Sequence, residues 1–337
     1  MRDLLLLAAV VLLAACDPGM PQTVSTTPPM NAERLDEAGA EISARVAPAR
    51  LGAAVMNLES GELWALNGSD RFPMQSVFKA PLGAAVLAEA DAGRLSLDET
   101  LTLSDNDLSP PYSPVADAYP GRRDYTIEDL LVLAVGQSDN TAADVLMRRI
   151  GGPGAVTAWL RAKDIRDMRI DRYERQLQPE IVGLESFRPA WKGEAAYRAA
   201  MAAIAPNVRQ AATARYLSDP RDTTSPRDAL MFLAALARGE LLSAASTARL
   251  LGIMTETTSG ANRLAAGLPK GARLAHKTGT ARTDLGLNPA TNDIGVITLE
   301  DGRQYVVAVF LAGSSLPEAE REAVFADLSR AITEALR

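Results

Sequence analysis

The order of secondary-structure patterns along the chain constrains its fold more than any other feature. Strand patterns, alternating or continuously apolar, occur near both ends, at residues 51–57, 63–66, 274–277, 293–299 and 304–312. Helical patterns dominate the middle of the chain, from about residue 76 to about residue 250. We therefore predict an α/β (α+β) fold, in which both ends of the chain form one antiparallel sheet with flanking helices and an inserted all-helical lobe. We expect the functional site where the two lobes meet.

The first 30 residues have the pattern of an export and anchoring segment. Arg2 precedes an apolar run to residue 15, which is shorter than the ~20 residues that cross a bilayer and as long as a signal-peptide core. Small residues then precede Cys16, the only cysteine, and this string resembles a bacterial lipobox. We predict a lipoprotein signal peptide over residues 1–15 and a lipidated Cys16 that begins a flexible tether over residues 16–30. The alternative is an ordinary secretory signal followed by a chance cysteine.

The location and the partners of the protein follow from this segment and from the charge. A lipid anchor at Cys16 predicts a periplasmic protein tethered to a membrane, and the resemblance of Asp17 to an enterobacterial sorting signal implies the inner membrane. The net charge of −7 argues against a nucleic-acid partner, because phosphates favour Lys- and Arg-rich surfaces. With one cysteine, no intrachain disulfide is possible, so the fold depends on its apolar core.

The first string with catalytic potential is Ser76-Val-Phe-Lys79. Positions three apart share one face of a helix, so Lys79 can contact the Ser76 hydroxyl and either take its proton or stabilise its alkoxide. The alternative is an ordinary surface pair, since a chain of this composition contains about one Ser-x-x-Lys string by chance.

The second string, Ser138-Asp139-Asn140, lies between two helical patterns and is predicted to be on a loop. A serine beside the first one can pass a proton to a leaving nitrogen. Asn140 can offer its amide to a substrate carbonyl. The alternative is a plain helix N-cap, a position where all three residue types are common.

The third string, Lys277-Thr278-Gly279-Thr280, lies at the end of a strand pattern. Lys277 and Thr278 can hold a substrate carboxylate, and Gly279 lets a ligand approach the backbone closely. The N–H of Thr280 could form an oxyanion hole together with the N–H of Ser76. The alternative is an edge-strand lysine followed by a turn.

In this order, the three strings are the set found in class A β-lactamases and penicillin-binding proteins. The chain resembles a class A β-lactamase over about residues 32–337. Further matches are Arg71-Phe72-Pro73-Met74 before the nucleophile, Tyr112-Ser113-Pro114-Val115 at an aromatic cleft wall, and residues 219–226 at the close of the Ω-loop. The resemblance implies a catalytic domain over residues 31–337 with the serine β-lactamase/DD-peptidase fold. It also implies a monomer that hydrolyses β-lactam antibiotics through a serine acyl-enzyme, without cofactor or metal, and so confers resistance.

A fourth string, Arg172-Tyr-Glu174 with Leu177-Gln178, distinguishes between the two families. In the β-lactamases the matching glutamate aims water at the ester, so the resemblance makes Glu174 the deacylating base. Arg172 and Asp222 match the ion pair that closes the Ω-loop. A penicillin-binding protein lacks this base and instead stalls or transfers the acyl group. A DD-peptidase or transpeptidase and a non-catalytic penicillin sensor remain the alternatives.

Two features depart from the family pattern. Gln178 stands where the family has asparagine, so we expect slower deacylation of bulky substrates than an asparagine would give. Residues 179–218 form an insertion in the Ω-loop, with helical patterns at about 191–203 and 208–216. This insertion could shield the site or narrow the choice of substrate, or it could be a surface addition without effect on catalysis.

Two basic residues complete the predicted site. Arg263, together with Asp144, resembles subclass A2, in which the matching arginine reaches the cleft and helps to bind the substrate carboxylate. His276 is the only histidine, and because it directly precedes Lys277 on a strand it should face away from the cleft. This argues against a Ser-His-Asp triad. One histidine and one cysteine also argue against a zinc hydrolase.

Overall fold

The computed structural model describes residues 29–336. The predicted signal peptide, Cys16, Asp17 and most of the predicted tether lie outside the described residues. Within them the strands are β1 (Arg50–Asn57), β2 (Leu63–Leu66), β3 (Phe72–Pro73), β4 (Thr100–Thr102), β5 (Asp124–Thr126), β6 (Thr223–Thr224), β7 (Arg273–Thr280), β8 (Asn288–Thr298) and β9 (Gln304–Ser314).

Five of these strands form one sheet in the order β2-β1-β9-β8-β7, and every neighbouring pair is antiparallel. β1 pairs with β9 along its whole length, beginning with Arg50 opposite Ala312. β8 and β9 form a hairpin, and the turn between them contains Gly302 at a φ of +88°. Strands from the two ends of the chain are thus neighbours, which confirms the predicted antiparallel sheet.

Helices occupy most of the chain between β2 and β7. The α-helices are α1 (Ala32–Val46), α2 (Lys79–Asp91), α3 (Pro114–Ala118), α4 (Ile127–Leu131), α5 (Asn140–Arg149), α6 (Pro153–Ala162), α7 (Glu174–Ile181), α8 (Glu194–Ala202), α9 (Pro206–Ser218), α10 (Pro226–Ala237), α11 (Ala244–Thr255), α12 (Leu264–Gly267) and α13 (Glu318–Ala335). Short 3-10 turns occur at Gln75–Phe78, Asp105–Asp107 and Pro189–Trp191, and a π turn at Val132–Gly136. Across residues 29–336, no helix is both long and apolar enough to cross a bilayer.

Helices cover both faces of the sheet, and β9 shows how the core divides. The even-numbered residues from Val306 to Phe310 join the core shared with the helical lobe. The odd-numbered residues from Tyr305 to Leu311 pack on the other face, in the core shared with α1 and α13. Because side chains alternate across a strand, a strand buried on both faces is apolar throughout. This explains the continuous apolar run that identified β9.

The helix after the first catalytic string is buried almost all round. A 3-10 turn precedes α2, so Ser76 lies in the turn and Lys79 is the first residue of the α-helix. The first nine residues of α2 are buried because α5, α6 and α11 contact it. The apolar run from Ser76 onward therefore marks a central helix of the inserted lobe, as expected of a helix buried on most sides.

Residues 179–218 contain two helices, α8 and α9, as their pattern predicts. Their apolar side chains form a cluster with α7 and the helical lobe, made of Leu108, Ala116, Leu177, Ile181, Val182, Leu184, Phe187, Tyr197, Met201 and Tyr216. Two ion pairs attach the same segment to the chain after β7: Glu194 with Arg282 at 2.5 Å and Arg209 with Asp284 at 2.6 Å. The segment is therefore packed against both lobes.

Candidate active site

Side chains from separate parts of the chain line a cleft of about 410 Å³ between the lobes. Ser76 comes from the turn before α2, Ser138 from the loop before α5, and Thr278 and Thr280 from the edge strand β7. The other predicted site residues at its wall are Tyr112, Asn140 and Gln178. The candidate catalytic strings, far apart in the sequence, meet at one site.

Lys79 lies at the centre of the polar contacts beside this cleft. Its Nζ donates to the carbonyl oxygen of Ser138 at 2.7 Å and to Oδ1 of Asn140 at 2.6 Å. The same atom lies 3.3 Å from Oε1 of Glu174, and the side chains of Lys79 and Glu174 are 0% exposed. Such pairing offsets the cost of burying charges. The sequence predicted that Lys79 can contact the Ser76 hydroxyl. Within residues 29–336, however, Nζ of Lys79 makes no hydrogen bond to that hydroxyl.

Asn140 holds this ammonium in place. Oδ1 of Asn140 accepts from Lys79, and Nδ2 donates to the carbonyl of Pro110 at 3.1 Å. The residue is the first of α5, so the predicted loop ends one residue earlier, with Asp139 as the helix N-cap. The predicted contact between the Asn140 amide and a substrate carbonyl stays a prediction.

Ser138 and Lys277 form a second polar pair in the cleft. Nζ of Lys277 donates to the Ser138 hydroxyl at 3.0 Å and to the Thr278 carbonyl at 3.0 Å. Burial, together with the nearby charge of Lys79, lowers the pKa of Lys277 well below its usual value. Ser138 has a φ of +62°, in the left-handed region. The loop is thus held in a strained conformation at the residue whose hydroxyl faces Lys277.

Glu174 is the first residue of α7 and is buried against Lys79. Its Oε2 accepts a hydrogen bond from Nε2 of Gln178 at 2.9 Å. Its Oε1 accepts no hydrogen bond within the described part of the chain. A buried carboxylate oxygen with unused acceptor capacity beside a cleft is suited to take a proton from water.

Asp144 on α5 holds the start of α7. Its Oδ1 accepts from the N–H of Glu174 at 2.7 Å, and its Oδ2 accepts from the N–H of Arg175 at 2.9 Å and from the Ser109 hydroxyl at 2.6 Å. These contacts satisfy backbone N–H groups that a helix leaves free at its N-terminus. Despite them, burial raises the pKa of Asp144 to about 7.

This raised pKa predicts how stability depends on pH. An unfolded aspartate has a pKa of about 4, so between about pH 4 and 7 the folded protein binds the extra proton. The contribution of Asp144 to the free energy of unfolding should therefore decrease as the pH rises through this window. Asp144→Asn should remove that decrease, on the order of a few kcal/mol, in urea unfolding at several pH values. Asp98→Asn, at an exposed carboxylate, should keep the wild-type profile, and parallel profiles for all three proteins would contradict the prediction.

Gln178 uses its longer side chain to bridge two groups. Its Nε2 donates both to Oε2 of Glu174 at 2.9 Å and to Oε1 of Gln75 at 3.0 Å. Gln75 precedes the serine of the first string and is 1% exposed. The sequence analysis noted Gln178 only as a departure from the family's asparagine. In the structure its longer side chain contacts the turn that carries Ser76. The expected slower deacylation stays a prediction.

Arg172 and Asp222 form the ion pair that the sequence suggested. Nε of Arg172 lies 2.6 Å from Oδ2 of Asp222, and both side chains are nearly buried. The guanidinium also pairs with Glu180 at 2.6 Å and with Asp219 at 3.4 Å. Burial raises the pKa of Asp222, although the positive charge of Arg172 opposes the shift. This cluster joins the start of α7 to the chain that follows α9.

Gly279 has a different neighbour from the one we expected. A Cβ at this position would lie 2.4 Å from the carbonyl oxygen of Met74 and 3.1 Å from the N of Val77. The glycine therefore lets β7 approach the 3-10 turn that carries Ser76, rather than only letting a ligand approach the strand. That approach brings the ends of the first and third strings together.

Arg263 lies behind the cleft wall. Its side chain donates to Oγ1 of Thr280 at 2.8 Å, to the carbonyl of Asn292 at 3.0 Å and to Glu322 at 3.2 Å. The residue is 4% exposed, and it is Thr280 that lines the cleft. The structure therefore places Arg263 against a cleft residue, and not in the cleft as the A2 resemblance implied.

Tyr112 and His276 differ in their exposure to solvent. Tyr112 is 59% exposed at the cleft. His276 is buried, and its Nδ1 lies 2.9 Å from Oδ1 of Asp293. The His276 ring therefore contacts Asp293 on β8 and not the candidate nucleophile Ser76.

The sequence analysis missed two residues of this region. Gln75 has a φ of +47° and a buried side chain, and its only signal was an amide inside an apolar stretch. Arg282 lines the cleft, pairs with Glu194 and donates to the carbonyl of Pro111 at 3.0 Å. Its signal was its position two residues after Thr280.

Comparison with known proteins assigns the family. Residues 34–336 match the model of the β-lactamase enzyme family. This chain belongs to the β-lactamase enzyme family. It is 33% identical to Beta-lactamase VEB-1 of Pseudomonas aeruginosa over 283 residues, covering 84% of each chain. It is 31% identical to Extended-spectrum beta-lactamase PER-1 of the same organism over 284 residues, covering 84% of this chain and 81% of that one.

The fold comparison gives the class. The structure of the class A β-lactamase of the last common ancestor of Gram-negative bacteria matches with a TM-score of 0.73 and 35% identity, covering 90% of this chain and 99% of that one. The chain is a class A serine β-lactamase. The predicted fold, the enzyme class and the hydrolysis of β-lactams, with the resistance that follows from it, are confirmed.

Proposed function

We propose that the β-lactam is opened through an acyl-enzyme on Ser76 and that Glu174 drives hydrolysis of the ester. The observation that carries this proposal is the buried contact of Lys79 with Glu174 at 3.3 Å, beside the cleft that Ser76 lines. An ammonium and a carboxylate so placed can serve the two proton transfers that acylation and deacylation need. No cofactor or metal enters the mechanism.

In the first step the Ser76 hydroxyl attacks the lactam carbonyl carbon and loses its proton. Two routes for this proton remain open: direct transfer to a neutral Lys79, or transfer through water to Glu174. The oxyanion is stabilised by the N–H groups of Ser76 and Thr280. The tight packing of Gly279 on the turn that carries Ser76 supports this pairing, because it brings the two N–H groups into neighbouring segments.

Collapse of the tetrahedral intermediate breaks the C–N bond of the ring. Ser138 passes its proton to the nitrogen and regains the proton that Ser76 lost, so Lys79 and Glu174 return to their starting states. The 3.0 Å contact from Lys277 to the Ser138 hydroxyl supports this role, because a neighbouring donor stabilises the oxygen as its proton leaves. Lys277 and Thr278 hold the substrate carboxylate. Arg263 acts on the substrate through the hydroxyl of Thr280 that it contacts.

In the last step Glu174 takes a proton from water, and the resulting hydroxide attacks the ester carbonyl. The bond to the Ser76 oxygen then breaks, and this oxygen takes the proton that Glu174 removed from water. The unused acceptor capacity of Oε1 supports this role. Tyr112 forms a wall of the substrate site, and Asn140 keeps Lys79 oriented through the 2.6 Å contact.

A steady-state panel tests this proposal. The panel contains penicillins, cephalosporins and a carbapenem, and the purified protein should turn over the penicillins and cephalosporins. Ser76→Ala should abolish turnover without loss of folding. Extended-spectrum cephalosporins belong in the panel because the relative PER-1 carries that description. Release of D-alanine from a peptide without β-lactam turnover would favour a DD-peptidase. A lasting adduct without turnover would favour a penicillin sensor.

We also propose that the mature protein is a periplasmic monomer, anchored in a membrane through lipid on Cys16, with Asp17 favouring the inner membrane. The apolar run and the small residues before Cys16 support this. Cys16→Ser should move the protein from the membrane fraction to the soluble periplasmic fraction and abolish incorporation of labelled palmitate. Unchanged fractionation would contradict the anchor.

A further inference from the structure

A buried tyrosine of the segment 179–218 contacts the turn that carries the nucleophile. Tyr216 lies on α9 and is 4% exposed. Its hydroxyl oxygen accepts a hydrogen bond from Nε2 of Gln75. Burial raises the pKa of Tyr216, so the phenol stays neutral at physiological pH. The contact joins residues far apart in sequence, one of them adjacent to Ser76.

From Gln75 the contacts continue to the carboxylate that we assign to deacylation. Oε1 of Gln75 accepts from Nε2 of Gln178 at 3.0 Å. The same nitrogen donates to Oε2 of Glu174 at 2.9 Å. Both amide hydrogens of Gln178 are thereby used, one on each partner. Four side chains, from Tyr216 through Gln75 and Gln178 to Glu174, form a continuous hydrogen-bonded series, here called the Tyr216–Glu174 series.

A second tyrosine of the same segment shows that burial alone does not demand such a contact. Tyr197 on α8 is 1% exposed. Its hydroxyl has no hydrogen-bond partner within the part of the chain that the structure covers. The hydroxyl of Tyr216, in contrast, meets the side-chain amide of Gln75. The two tyrosines share one apolar cluster and differ in whether the hydroxyl is hydrogen-bonded.

We propose that Tyr216 is a positioning residue for deacylation, acting through Gln75 and Gln178 to fix the orientation of Glu174. The segment 179–218 thereby contributes to the chemistry of the site. This inference rests on the proposed role of Glu174.

The physical reason is the cost of an unpaired buried amide. Without the Tyr216 hydroxyl, Nε2 of Gln75 loses its acceptor in a site closed to water, and a buried donor without a partner is unfavourable. Gln75 then reorients, and Gln178 loses the contact that fixes its amide. Gln178 is left free to rotate away from Glu174, so the carboxylate no longer holds one orientation toward water. Acylation does not require this orientation if Lys79 accepts the serine proton.

The test is Tyr216→Phe, which removes only the hydroxyl. With a substrate whose turnover is limited by deacylation, kcat and KM should both fall about tenfold, as expected for the loss of one hydrogen bond in the transition state. The ratio kcat/KM, which reports acylation, should stay within twofold of the wild type. At a substrate concentration below the wild-type KM, the fraction of acyl-enzyme seen by mass spectrometry during turnover should rise, because KM falls.

The matched control is Tyr197→Phe, which removes a hydroxyl without a partner from the same cluster and should leave kcat and KM unchanged. If Glu174→Gln is still acylated at the wild-type rate, a fall of kcat/KM in Tyr216→Phe as large as that of kcat would overturn the inference, since it would indicate a general structural role. So would a Tyr216→Phe enzyme indistinguishable from Tyr197→Phe.

A second variant, Gln75→Met, leaves Tyr216 in place and keeps the inference open to refutation if Tyr216→Phe folds poorly, because it too should lower kcat and KM together and leave kcat/KM unchanged. Gln75→Met interrupts the Tyr216–Glu174 series at its middle, so the double variant with Tyr216→Phe should deacylate no more slowly than Gln75→Met alone. Additive losses would refute the series. If Glu174→Gln fails to slow deacylation, the proposed role of Glu174 is wrong. If Glu174→Gln slows deacylation and Tyr216→Phe does not, only the present inference is wrong.

Discussion

Glu174→Gln should give an enzyme that is acylated by a β-lactam and then stalls. The substitution removes the carboxylate that we assign to the activation of water, while the side chain keeps its shape in a site that is 0% exposed. General-base catalysis contributes about 10²–10⁴-fold, so the deacylation rate should fall by that factor. Mass spectrometry of the variant mixed with a penicillin should show a persistent adduct on Ser76.

A neighbouring carboxylate provides the control for this experiment. Glu185 lies a few residues beyond α7 and is exposed, so Glu185→Gln should turn over substrate at the wild-type rate. Undiminished turnover by Glu174→Gln would show that Glu174 is not the base in deacylation. Failure of that variant to form any adduct would assign Glu174 to acylation as well.

Arg172→Ala should cost about 3–5 kcal/mol of the free energy of unfolding, because it leaves Asp222 buried without its 2.6 Å partner. The guanidinium also neutralises Glu180 and Asp219, so its loss leaves a cluster of carboxylates around α7. Urea unfolding at pH 7 measures the effect. Activity should fall at temperatures where the variant is still folded, because α7 carries Glu174.

An exposed ion pair serves as the comparison for Arg172. Arg166 lies 2.8 Å from Asp164, and their side chains are 78% and 82% exposed. Arg166→Ala should leave the free energy of unfolding close to that of the wild type, because water screens such a pair. Equal losses in the two arginine variants would contradict the assignment of Arg172 to a buried structural role.

Periodicity and local chemistry explain which parts of this structure could be predicted from the sequence. β9 is apolar throughout because both of its faces are covered, and α2 is apolar because helices surround it. The three strings were recognisable because their residues and their order match those of class A β-lactamases. Fold, family and cleft were therefore accessible before any coordinates.

Other parts depend on contacts that no local pattern encodes. Gly279 proved to serve the packing of β7 on Met74, and the sequence offered no sign of which backbone it would meet. The Arg263 side chain contacts Thr280 and does not line the cleft, because it is also hydrogen-bonded to Glu322 and to the carbonyl of Asn292. The contact between Tyr216 and Gln75 needs α9 to pack near the turn that carries Ser76. Such pairings are decided by tertiary packing, and single-sequence patterns do not reach them.

The pairing of β1 with β9 has a consequence for how the chain acquires its structure. Ala53 lies opposite Val309, so β1 cannot pair along its whole length until β9, the last strand of the described chain, has been synthesised. Closing so long a loop is entropically costly and makes folding slow relative to a chain with local contacts. A polypeptide emerging from the ribosome therefore cannot complete its central sheet until synthesis is nearly over.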